Sequence, residues 1–138
     1  MLDPVVRYFE TLTPASVAEI DRVYAPDAHF RDPFNEVHDV QSIRRIFEHM
    51  FDALIEPRFV VTNRIAEGAQ AMVEWDFTFR IRRFRPSHGW SVHGVSHLRF
   101  APDGRLSHHR DYWDTGDELY AKLPGIGPIV RFLKRRMA

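Results

Sequence analysis

The residues best suited to chemistry lie near the end of the chain, in Ser107-His108-His109-Arg110-Asp111-Tyr112-Trp113. In an extended strand alternate residues share a face. Ser107, His109, Asp111 and Trp113 then lie on one side, and His108, Arg110, Tyr112 and Asp114 on the other. A carboxylate beside an imidazole can take up, hold and pass on a proton. The same pair also reads as a structural ion pair, and His109 as an ordinary core histidine. Asp32, in Phe30-Arg31-Asp32-Pro33, is the second candidate acid or base. Asp-Pro is also a common turn, so its side chain reads equally well as a backbone cap.

Eight histidines, five of them between residues 88 and 109, raise the question of a metal. His93 and His97 share one strand face with His108 nearby, but parity turns that face away from the carboxylates. No His-x-x-x-His falls on a helix beside a Glu. Neither a metal nor a cofactor is expected. The chain has no cysteine, which excludes disulfides, thiol chemistry and Cys-ligated zinc and fits a reducing cytoplasm. Lys plus Arg equal Asp plus Glu at 19 each, so no broad positive field would hold nucleic acid. No apolar run is long enough to span a bilayer.

The elements that must position these residues change period along the chain. Val5, Val6, Phe9 and Leu12 form a helical stripe, with Tyr8 beside them. Thr13-Pro14 reads as the start of a second helix, with Val17, Ile20, Val23 and Tyr24 on its buried face. Ala28 to Asp32 is a short extended piece, followed by a loop through Asn35 and Glu36. A third helix opens at Asp39, carries Ile43, Phe47 and Leu54, and stops at Pro57. From residue 58 the period becomes two. Ala71, Val73, Trp75, Phe77, Phe79 and Ile81 alternate with polar residues, which requires a strand with one buried face. Residues 90–100 and 106–114 give two more strands around an Ala101-Pro102-Asp103-Gly104 turn. A short helix near 117–123 and a basic helix over 126–137 end the chain. With 138 residues, 44% of them hydrophobic, this is one α+β domain.

This order of elements resembles the nuclear transport factor 2-like superfamily over about residues 4–118, and within it the SnoaL-like branch of ketosteroid isomerases, polyketide cyclases and limonene epoxide hydrolase. Three local matches carry the resemblance. Tyr8, in Val5-Val6-Arg7-Tyr8-Phe9, resembles the isomerases' oxyanion donor. Asp32 falls on their general base. Arg110-Asp111-Tyr112-Trp113-Asp114 is similar to the last-strand motif of the epoxide hydrolase, where the residue matching Asp111 activates water. Two departures stand beside these. Ser96 occupies the place of the isomerases' second acid, and the epoxide hydrolase's Arg and second Asp have no counterpart on the inward face.

The resemblance implies a cone-shaped, strongly bent, mostly antiparallel sheet wrapped around the N-terminal helices and enclosing an apolar pocket. It turns Ser107, His109 and Asp111 inward, a polar spot that would cost about 1–3 kcal/mol per unpartnered group. Phe30, Trp75, Phe77 and Phe79 are expected to line the pocket, with Ser96, Leu98 and Trp113. The expected activity is acid/base chemistry by Asp111 or Asp32 on a small hydrophobic molecule, with Tyr8, Ser96 or His109 donating to an oxyanion. A carrier or sensor without chemistry and a dimeric interaction module are the alternatives. Relatives imply a homodimer through the outer sheet face. In the 119–138 tail, Leu119, Leu123, Ile126, Ile129, Val130 and Leu133 are expected to form a lid if they are not exposed.

Overall fold

The computed structural model describes residues 1–123 and 125–137. Helix α1 (Leu2–Glu10) buries Val5 and Val6. Helix α2 is a single turn (Pro14–Val17) closed by a capping box in which Thr13 and Ser16 each bind the other's backbone N–H. The second helix expected from the sequence ends there. A 3₁₀ turn (Ile20–Arg22) follows, and Tyr24 opens strand β1 (Tyr24–Arg31). Strand β2 (Glu36–Val37), expected as loop, pairs back on β1 through Phe30–Val37 and Arg31–Glu36. Helix α3 (Val40–Ala53) is capped by Asp39, which accepts from Ser42 N–H at 2.8 Å.

Helix α3 stops at Ala53, and strand β3 (Leu54–Glu67) runs straight through Pro57. Proline cannot donate to a ladder, and the sheet accommodates it in two ways. β3 is an edge strand, and its pairing with β4 (Gln70–Ile81) shifts register between Ile55 and Arg58, where Glu56 takes φ 50°. Strands β5 (Trp90–Phe100) and β6 (Leu106–Tyr112) complete a bent, unclosed sheet in the order β2-β1-β6-β5-β4-β3. All its pairings are antiparallel except β1 with β6. The helices fill its concave side, where Ile20, Tyr24, Ile43 and Leu106 are fully buried.

Cross-strand register sets the site. Trp75 faces Gly94, Ser96 faces Asp111, Leu98 faces His109, and Phe30 faces His109 from the other side. A Cβ on Gly94 would sit 2.5 Å from Trp75 Cη2, so only glycine lets the indole lie against the strand. After β6 come a turn of helix α4 (Thr115–Glu118), a 3₁₀ turn (Tyr120–Lys122) and helix α5 (Gly127–Met137). Among the described residues no helix is long and apolar enough to cross a membrane.

Candidate functional site

A cavity of about 710 Å³ opens between the concave face of the sheet and helices α1 and α3. Phe59, Phe77 and Phe79 form one wall, with the Phe59 and Phe77 rings stacked 4.3 Å apart. Phe30, Trp75 and Leu98 close its inner end, and Trp113 lines it beside the edge of Phe34. Every residue expected as ligand-lining does border this space.

Within this apolar surface stands one connected polar group. Trp75 Nε1–H donates to Ser96 Oγ at 2.8 Å, and Ser96 donates to Asp111 Oδ1 at 2.5 Å. His109 Nε2 lies 2.6 Å from the same oxygen, and His109 Nδ1 is 2.6 Å from the Tyr24 hydroxyl. Burial pushes the Tyr24 hydroxyl well above its ordinary pKa, and the Asp111 charge adds to the shift. Tyr24 therefore keeps its proton and donates to Nδ1. In the neutral ring the remaining N–H is then on Nε2, aimed at Asp111. The imidazole is caged by Phe9, Phe30 and the stacked Tyr24 ring. Trp75, Ser96, His109 and Asp111 all border the cavity, and Asp111, with 16% side-chain exposure against 6% for His109, is the more open of the acid–imidazole pair. Both bonds fall on Oδ1, which leaves Oδ2 for a ligand.

Asp32 borders the same cavity but is held differently. Its Oδ1 accepts from the backbone N–H groups of Phe34 and Asn35, each at 2.7 Å, and both oxygens accept from the Asn35 side chain at 3.2 Å. It closes the β1–β2 hairpin as an Asx turn. Tyr8 does not line the cavity. Its hydroxyl donates to the Ser16 carbonyl at 2.8 Å, and burial pushes its pKa up to about 12.

Two residues enter that the sequence reading missed. Tyr24 was placed on a helix stripe, because Val17, Ile20, Val23 and Tyr24 fit helical spacing. Pro26 is the available signal, since it holds Ala25 out of the helical region and so ends a helix before it, and β1 opens at Tyr24. Arg45 of α3 lines the cavity mouth, where the reading found no inward arginine, and donates to Ser42 Oγ at 2.9 Å. In the tail, Leu119 borders the cavity, but Ile126, Ile129 and Leu133 are exposed, so α5 does not cover the mouth.

A bent sheet packed on its helices around an open apolar cavity is the architecture of the nuclear transport factor 2-like proteins. Residues 5–109 match the SnoaL-like domain model, and the chain belongs to that family. An NTF2-like protein of unknown function from Burkholderia pseudomallei is 18% identical with a TM-score of 0.72, over 84% of this chain and 92% of that one. An LEH-like epoxide hydrolase of M. tuberculosis is 17% identical with a TM-score of 0.70, over 92% of each chain. A protein of ketosteroid isomerase-like fold from Catenulispora acidiphila, in complex with trimethylamine, is 13% identical with a TM-score of 0.70, over 83% of this chain and 85% of that one. No curated protein matches the sequence. At these identities the likeness fixes the fold and leaves chemistry to the site.

Proposed function

We propose that this chain is a small-molecule enzyme in which Asp111 is the general base, activating water against an apolar cyclic substrate such as an epoxide. The convergence of Ser96 and His109 on one oxygen of Asp111, at the edge of an aromatic cavity, carries this reading. Those bonds fix the carboxylate's orientation and leave Oδ2 to accept a proton from water. The resulting hydroxide attacks a ring carbon, the C–O bond breaks, and the proton passes from Asp111 to the freed oxygen. Isomerisation next to a carbonyl fits less well, because an enolate needs a donor. The hydroxyls of Tyr8 and Ser96 and Nε2 of His109 are each bound to protein acceptors.

The second reading is a carrier. The same cavity would hold an apolar metabolite and Asp111 would orient it. The test is turnover of a panel of cyclic epoxides, cyclic enones and lactones by the purified chain and by Asp111→Asn. Loss of turnover by a factor of about 10²–10⁴ with ligand affinity largely kept supports the base. Unchanged turnover in the variant sinks it. Binding without turnover of any class by the unaltered chain makes the protein a carrier.

A further inference from the structure

The β1–β2 hairpin carries a separate cluster on the opposite side of the sheet from Asp111. Phe30 pairs with Val37 and Arg31 with Glu36, so alternation puts His29, Arg31 and Glu36 on the outer face, and His38, just past β2, packs on His29 there. His29 Nε2 lies 3.0 Å from Glu36 Oε2. The His29 and His38 rings stack with centroids 4.7 Å apart. One ligand atom from each of His29, Glu36 and His38 lies within 4.8 Å of the others. Nδ1 of His29 is 3.2 Å from Nδ1 of His108 on the neighbouring strand β6.

We propose that His29, Glu36 and His38 form a binding site for a divalent transition-metal ion such as Zn²⁺. His29 coordinates through Nε2, Glu36 through a carboxylate oxygen and His38 through a ring nitrogen, with water in the remaining position. Two imidazoles and a carboxylate are a donor set that borderline ions prefer. A tetrahedral ion places its ligand atoms about 3.3 Å apart. His29 and Glu36 already meet that spacing, and the exposed His38 ring has only to turn out of its stack. Metal-bound histidines are oriented by a partner for their other N–H. His108 stands at that position, so His29 can donate through Nδ1 while Nε2 faces the ion. His29 and Glu36 sit on two paired strands and His38 follows directly on β2, so no long loop separates the three ligands.

Arg31 opposes the site. Its Nε is 3.9 Å from Glu36 Oε2 and competes for the same carboxylate. Across the sheet, His93 lies between Asp76 at 2.7 Å and Glu74 at 2.8 Å, but each of its nitrogens faces a different acid. That arrangement offers one imidazole nitrogen per direction and serves as the control.

The experiment is calorimetric titration of the purified full chain with Zn²⁺, paired with Co²⁺ titration read by visible absorption. One ion is expected per chain. His38→Ala and Glu36→Gln should each weaken binding by about tenfold or more. Arg31→Ala should tighten it by roughly threefold, as removal of a nearby cation requires. His93→Ala and Asp111→Asn should leave it unchanged. His38 and Glu36 are exposed, so their variants should fold, which far-UV circular dichroism would check. The proposal is overturned if no saturable binding occurs up to about 1 mM ion, or if binding survives intact in both His38→Ala and Glu36→Gln. Because Asp111→Asn leaves this site untouched, its success or failure is independent of the acid/base reading.

Discussion

Asp111 takes its two hydrogen bonds on one oxygen, and each donor is held from behind, Ser96 by the Trp75 indole and His109 by the Tyr24 hydroxyl. Tyr24→Phe removes the hydroxyl and leaves a buried imidazole nitrogen unpartnered. It should cost about 1–3 kcal/mol in urea denaturation, and turnover should fall less than in Asp111→Asn, since Tyr24 acts through His109. On the outer face the sign of a pH effect can be worked out. Hydrogen bonds to Asp76 and then Glu74 raise the His93 pKa. The folded chain thus binds that proton more tightly than the unfolded chain does. The contribution is complete below the unfolded value of about 6.5 and is lost as pH rises through the folded value. The midpoint advantage of the unaltered chain over His93→Gln should therefore shrink from about pH 6 to pH 8, while His97 and His108, whose pKa values burial lowers, add the opposite slope to both. The sequence made Asp111 and His109 visible, because polar residues on an inward strand face demand partners. It did not make Tyr24 visible, since the hydroxyl's partner is 85 residues away.

Strand β4 was the most legible element, because strict alternation from Ala71 to Ile81 has no helical explanation. The C-terminus of α3 was misread by a few residues. Leu54 continues the helical spacing, and Pro57 looks like a helix stop, yet an edge strand with a bulge accommodates it. Sequence does not say which strand lies at an edge, and that fact alone decides the case. At this scale the close approach of β4 and β5 at Trp75 and Gly94 is the sensitive point. Gly94→Ala drives a methyl group into the indole. It should destabilise the fold by about 1–3 kcal/mol and alter the tryptophan fluorescence, whereas Gly89→Ala, with open space around it, should do neither.

At the scale of the whole molecule, the family match ends at residue 109, and α5 lies beyond it with Ile129, Phe132 and Leu133 exposed. Its ties to the rest include the Lys134–Asp117 ion pair and the approach of Val130 to Gly116. Removing residues 125–138 should therefore lower Tm by no more than about 4 °C and leave ligand affinity in place, as differential scanning calorimetry and ligand titration would register. The bent sheet and its cavity depend on the strands and on α1 and α3. The contact between Trp75 and Ser96 has a consequence for how such a protein can diversify. The indole is both the floor that limits the size of a guest and the far end of the chain of donors that steadies Asp111. Enlarging the chamber by trimming Trp75 would release Ser96 and loosen the base in the same step, so guest size and reactivity are inherited together. New specificities are more readily reached at Phe79, whose ring packs on Phe77, than at Phe59, which lies edge-on to the Trp75 indole.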